Sequence, residues 1–313
     1  MSKPTAKWGI VATIKAPVDE TLRFAAYHLS QGAHRLYIYL DDASEAAFIA
    51  LNDHPQITPI LTDATWWQKR GRRPEKHQVR QSRNATHAYR RLAKVDWLIH
   101  MDVDEFLVTA TPIDEVLGAL GTDVLCARVR PMEQLSEAPG LFKAFIPPGH
   151  GRHRLVEEIY PTYGAHLKGG FLSHLAGKIF VRTGQDDLRL RIHNATQGDI
   201  TNPGEIELGD IDLAHAHAKS WDQFRSAFHY RLDKGSYRAD LAPQRAQDRG
   251  GLTLHELFQH IEATDGEDGL RVFFDEVSRA TPRLIDALSA RGLLKEVDLR
   301  LAEHLREHFP DYA

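Results

Sequence analysis

Three carboxylates stand within four positions in the stretch His100-Met101-Asp102-Val103-Asp104-Glu105-Phe106. They follow Val95-Asp96-Trp97-Leu98-Ile99, an apolar run that reads as a buried strand. Like charges this close repel and raise each other's pKa, so such a cluster is costly without a cation. Hard divalent ions such as Mn²⁺ or Mg²⁺ choose oxygen ligands and often share them with substrate phosphates. Alternation along a strand is expected to place Asp102 and Asp104 on one face, where the pair could hold a metal–diphosphate complex. The competing reading is a solvated acidic turn, and D-x-D alone does not separate the two.

Other polar residues fall where such a site would need them. Thr13 and Lys15 close the apolar run that begins at Trp8, and Asp41 and Asp42 follow Tyr37-Ile38-Tyr39-Leu40. Acids at a strand end can accept from a base N–H or a ribose hydroxyl. Asp42 is preferred over Asp41, and the alternative is a turn ahead of a helix capped by Ser44. Lys69 to Arg91 carries nine Lys or Arg against one acid, Glu75. Without interleaved aromatics, in a chain of formal net charge -4, this is no nucleic-acid footprint. It reads as a face toward a diphosphate or an anionic acceptor, or as a solvated helix face. The single Cys126 lies in the apolar run Val124 to Ala127, so it reads as a core thiol in a reducing compartment.

These residues need a frame to bring them together. Strands are expected over 8–14, 34–40, 56–61, 95–101 and 123–129. Helices are expected over 19–31, from Ser44 to Asn52, 74–94 and 112–120. Such alternation predicts a mainly parallel sheet with helices on both faces, and ligands bind such sheets outside the carboxyl ends of the strands. Thr13, Asp42 and Asp104 all fall at such ends. From Pro131 to Asn202 the pattern loosens, with a Pro147-to-Gly151 loop, a glycine-rich stretch from Gly164 to Gly177 and a short strand over 177–182; the segment from Gly149 to Gly177 is expected to close over an acceptor. Beyond residue 235 helices are expected over 252–263, 269–280, 282–291 and 293–308. At 313 residues, 42% hydrophobic and 26% charged, the chain can bury a sizeable core. There is no leader pattern and no 18-residue apolar run, which points to a cytoplasmic protein without a transmembrane segment, with peripheral membrane contact left open.

The order of these motifs resembles the family 2-like glycosyltransferases of GT-A fold, in the bacterial branch marked by D-x-D-E-F. Trp8 to Lys15 resembles the family's first strand, and Phe24-Ala25-Ala26-Tyr27-His28 with Gly32 its first helix. Tyr37 to Ser44 resembles the end of its second strand. Gln81 and Asn84 precede Asp102 to Phe106 in the family's order, and His215-Ala216-His217-Ala218-Lys219-Ser220 with Phe224 resembles its late element, with Ala216 where Tyr is common. The resemblance implies a GT-A-like, Rossmann-type α/β fold with a mostly parallel sheet flanked by helices. Residues 1–234 would form the catalytic domain and 235–313 a helical extension.

The resemblance also implies an activity. It is metal-dependent, inverting transfer of a sugar from a nucleotide-diphosphate donor, a UDP-sugar, to the hydroxyl of a glycan or lipid-linked acceptor. Asp104 and His215 would bind Mn²⁺ or Mg²⁺, with Asp102 on the metal or the ribose. His215 is chosen over His217 by its register to Lys219-Ser220. Thr13, Lys15, Asp41, Asp42, Arg80, Gln81, Asn84 and Lys178 would line the donor site. Inversion needs one carboxylate as base. Glu157, Glu158, Asp186 and Asp187 qualify by position, and Glu158 matches the family's middle acid. A nucleotidyltransferase or other metal-dependent phosphoryl enzyme on a similar fold is the alternative, disfavoured because Trp8 to Val18 holds only Gly9 and no glycine-rich phosphate loop. A non-catalytic sugar- or nucleotide-binding protein is a further alternative, against which Asp102, Asp104 and His215 are all present.

Overall fold

A computed structural model describes residues 4–243 and 251–313. They fold as two compact units. The first takes the described residues of Met1–Arg130, with Ala176–Leu213 and Leu299–Ala313. The second takes those of Pro131–Leu175 and Ala214–Asp298. The boundary expected at 234 falls inside the second unit.

Along the chain run β1 (Trp8–Ile14), α1 (Val18–Ser30), β2 (Arg35–Leu40), α2 (Glu45–Asn52), β3 (Ile57–Leu61), α3 (Ala64–Gln68) and α4 (His77–His87). A π-type turn over Ala88–Leu92 leads to β4 (Trp97–Met101), β5 (Glu105–Thr109), α5 (Ile113–Gly118), β6 (Cys126–Gln134), β7 (Leu141–Lys143) and α6 (Arg152–Ile159). Then come β8 (Lys178–Arg182), β9 (Leu188–Leu190), β10 (Ala195–Gln197), β11 (Ile200–Thr201) and β12 (Glu205–His215). The last elements are α7 (Trp221–Lys234), α8 (Leu254–Val277), α9 (Pro282–Ser289), β13 (Leu294–Glu296) and α10 (Leu301–His308).

The first unit is a Rossmann-type α/β fold. Its sheet runs β3-β2-β1-β4 with every neighbour parallel, so the carboxyl ends of these strands share one edge. Thr13 pairs with Tyr39, and Ala12 with Met101. β8 joins β4 and β6 joins β8, both antiparallel. Every residue of β1 is buried, as its near-continuous apolar run requires in a strand covered on both faces. Gly9 has a packing reason: a Cβ there would stand 2.7 Å from the Arg35 carbonyl oxygen on β2. The core joins Trp8, Ile10, Phe24, Ile38, Trp97 and Phe180 with Leu305 and Phe309 of the C-terminal segment. α10 packs on α1, where Tyr27 meets His304 edge-on.

In the second unit the far end of β6 pairs antiparallel with β7, and β7 with β13. Its core gathers Phe224, Phe228, Phe258, Phe273 and Phe274 from α7 and α8 with Leu284 and Leu288 of α9. Ser220, Thr253 and Thr281 cap the three helices, and Thr253 forms a reciprocal capping box with Glu256. α8 breaks at Gly266 (φ 59°, ψ −141°), between the helices expected over 252–263 and 269–280. The helix expected over 293–308 is instead a strand followed by α10. Leu294 pairs with Lys143 on β7, a partner that helical periodicity cannot register. Among the described residues, no helix is long and apolar enough to cross a membrane.

Candidate active site

The site in the first unit is organised by one helix with an unusual buried face. α4 buries Arg80, Gln81, Asn84 and Ala85. Positions i, i+1 and i+4 lie on one side of a helix, and here that side is polar. Each polar residue reaches a different strand end. Asn84 Nδ2 donates to Thr13 Oγ1 at 3.1 Å, at the end of β1. Arg80 donates to both oxygens of Asp41, from Nε at 2.9 and 3.0 Å and from Nη2 at 2.7 Å, just past β2. Gln81 Nε2 donates to Asp102 Oδ1, just past β4. The basic segment is thus partly a bracket across three strand ends rather than a solvated face.

Asp102-Val103-Asp104 forms a turn between β4 and β5, so strand alternation does not orient the two aspartates. The turn is closed twice: Glu105 N donates to Asp102 O at 3.1 Å, and Asp102 N donates to Glu105 Oε2 at 2.9 Å. That second bond gives Glu105 a structural task. Lys178 Nζ enters from β8, 2.6 Å from Asp102 Oδ2 and 3.2 Å from Glu105 Oε2. The side chains of Lys178 and Glu105 are wholly buried, whereas that of Asp102 is 29% exposed. Burial alone would raise the Asp102 pKa, but the Lys178 charge outweighs it and holds the carboxyl well below the usual range. Burial likewise opposes the Lys178 charge, and Asp102 then Glu105 pull its pKa up. Asp104 is half-buried in the same turn.

His100 sits under this cluster on β4. It is fully buried, and neither ring nitrogen has a hydrogen-bond partner among the described residues. Burial, with Lys178 adding to it, lowers its pKa to about 3, so the ring is neutral. Asp41 is held differently. Besides Arg80, Arg73 Nη2 lies at 3.1 Å and His77 Nδ1 at 3.6 Å. Burial raises its pKa, yet bonds from His77 and Arg80 bring it below the ordinary value. Asp42 beside it is exposed, and its Oδ1 accepts from Ser44 N at 3.3 Å while Ser44 caps α2. Lys15 is exposed just beyond β1.

Of the remaining candidates, His215, Glu157 and Glu158 lie in the second unit, and Asp186 and Asp187 in the first. His215 ends β12 and is buried, whereas His217 lies past the strand. Glu158 is on α6, with Arg154 Nε at 2.9 Å and Arg291 Nη2 at 3.5 Å. The Arg154 bond lowers its pKa, which weakens it as a base. Cys126 is buried, and burial pushes its thiol up to about 12, in keeping with a core residue. Sequence reasoning missed Arg73 and His77 as partners of Asp41, because nothing in a basic run says which members turn inward. His174, in the glycine-rich stretch, was also missed, because neither composition nor spacing singles it out.

A bound divalent ion fits part of this donor set. Both Asp102 oxygens are already engaged by Gln81 and Lys178, which suits an indirect or shared contact, while Asp104 supplies a carboxylate of the kind hard cations take.

No protein-family model matches the sequence. No curated protein matches it. Among solved structures, the chain is similar to HddC from Yersinia pseudotuberculosis, with 10% identity and a TM-score of 0.34 over 72% of this chain and 99% of that one. A mycobacterial protein gives 14% identity and a TM-score of 0.29 over 56% and 53%. GalNAc-T7 with UDP, GalNAc and Mn²⁺ gives 9% identity and a TM-score of 0.37 over 98% and 59%. Likenesses of this size carry no functional argument.

Proposed function

We propose that this chain is a metal-dependent inverting glycosyltransferase that moves a sugar from a UDP-sugar to a hydroxyl of a glycan or lipid-linked acceptor. The observation that carries the reading is the α4 bracket. Three residues of one buried helix face engage Thr13, Asp41 and Asp102 at the shared carboxyl edge of three parallel strands. Ligands of such sheets bind at that edge. In this reading the nucleoside lies by Thr13 and Asn84, with Asp42 as a contact from the exposed turn. Asp41 is a positioning residue that holds Arg80, and so α4, in place. Lys15 extends toward the diphosphate. Asp102, oriented by Lys178 and Gln81, accepts from the ribose. His215, in the second unit, is an imidazole ligand of a divalent ion. Asp104, in the first, is the carboxylate ligand of a Mn²⁺ or Mg²⁺ ion. When bound, that ion stabilises charge developing on the leaving diphosphate.

Calorimetric titration with UDP tests this. Binding should require Mn²⁺, and Asp104→Ala should weaken it at least tenfold without unfolding the protein. UDP binding of equal strength in EDTA, or in the Asp104→Ala protein, overturns the metal role.

A further inference from the structure

His174 and His215 are both in the second unit, 41 residues apart in sequence, and their rings meet with centroids 5.5 Å apart at an interplanar angle of 39°. A ring nitrogen of one lies within 4.8 Å of a ring nitrogen of the other. His217 stands on the other side of His215, with centroids 5.3 Å apart and planes at 75°, but its Nε2 is 3.3 Å from the Tyr237 hydroxyl. His217 is therefore tied back to Tyr237, and the facing pair is His174 with His215.

The backbone that leads into His174 is held by a buried charge pair. Glu133 on β6 and Lys143 on β7 pair at 2.7 Å, with side chains only 3% and 1% exposed. Glu133 accepts from Leu172 N at 3.1 Å and from Ser173 N at 2.6 Å, and Lys143 donates to Gly170 O at 2.9 Å. Tyr160 closes the space above Gly170, where a Cβ would stand 2.7 Å from its ring. Thus the glycine-rich stretch, expected as a closing loop, is pinned immediately before His174. A sealed ion pair that directs two backbone N–H groups next to an imidazole is a means of fixing that imidazole's position.

We propose that His174 is a second imidazole ligand, beside His215, of one divalent transition-metal ion. The inference rests on the metal reading above and deepens it, because two imidazoles favour Mn²⁺, Co²⁺ or Zn²⁺ over Mg²⁺. Glu133 and Lys143 are then positioning residues for His174.

Two measurements on the full chain test it. Pulsed EPR of the wild-type protein loaded with Mn²⁺ alone counts coordinated imidazole nitrogens: two are expected, and one or none overturns the inference. In calorimetric titration with Co²⁺, His174→Ala and His215→Ala should each weaken binding at least tenfold, with Mg²⁺ affinity changed less than threefold in His174→Ala. If His215→Ala alone loses Co²⁺, the inference about His174 fails and the reading of His215 stands. If neither does, both fail. The EPR count needs no variant, so misfolding of either protein does not spare the proposal.

Discussion

Two buried lysines, Lys178 in the first unit and Lys143 in the second, face carboxylates in almost the same way and serve different ends. Lys178 meets Asp102 at 2.6 Å and Lys143 meets Glu133 at 2.7 Å. The Glu133 side chain is 3% exposed and its oxygens also accept from two backbone N–H groups, so the pair is sealed. The Asp102 side chain is 29% exposed, stands in a turn at the edge where three strands end, and shares Lys178 with Glu105. Buried ion pairs are weak evidence for net stability, because desolvation offsets the attraction. What distinguishes these two is solvent access. A sealed pair can only hold structure, whereas a carboxylate that is oriented by a buried ammonium and still open to water can meet a ligand.

That contrast can be broken by substitution. Lys143→Met strands the Glu133 carboxylate in the interior, so urea unfolding should show a loss of about 3–5 kcal/mol. Asp102→Asn should cost less, about 1–2 kcal/mol, because Glu105 still faces Lys178 and water still reaches position 102. It should nonetheless weaken UDP binding. Equal stability losses in the two proteins would erase the distinction.

Acid sharpens the comparison from the side of the histidines. His28, stacked on Phe106 with Nδ1 2.8 Å from Phe24 O, and His100 beneath Asp102 each have a pKa lowered to about 3, chiefly by burial. The unfolded chain takes up protons at about pH 6.5. Since the folded pKa lies below the unfolded one, their contribution is complete above about pH 6.5. It is lost progressively as the pH falls from there toward 3. Each group should then remove up to about 1.4 kcal/mol of stability per pH unit in that window. Urea midpoints measured at pH 7, 6 and 5 check this, and a midpoint flat over that range would contradict the neutral buried rings.

The smallest effect is expected at Glu158. A catalytic base would lose about 10²–10⁴-fold in rate as Glu158→Gln. Its exposed pairing with Arg154 and Arg291 leads us to expect a change below about threefold. Steady-state transfer rates separate the two outcomes.

Some of this was legible in the residues. The largely apolar runs at Trp8 to Ile14, Tyr37 to Leu40 and Trp97 to Met101 are strands because a strand covered on both faces reads as a near-continuous apolar run, and that pattern is local. Ser44 and Gly32 marked helix ends by the same local chemistry. The turn at Asp102 to Asp104 has the composition of a polar strand end, so sequence alone does not distinguish the two. α4 was the harder case. Its inward face is Arg80, Gln81 and Asn84, and hydrophobic periodicity assigns such residues to solvent.

What the chain by itself determined was therefore the sheet and the edge at which its polar residues gather, because burial of apolar strands is decided within each run. Only the tertiary structure decided which charges are partners: Lys178 with Asp102 and Glu105, Arg80 with Asp41, Lys143 with Glu133. These pairs join residues 10 to 76 positions apart. An ion pair costs too much to bury unless its geometry is complete, and that geometry exists only once the strands and α4 have come together.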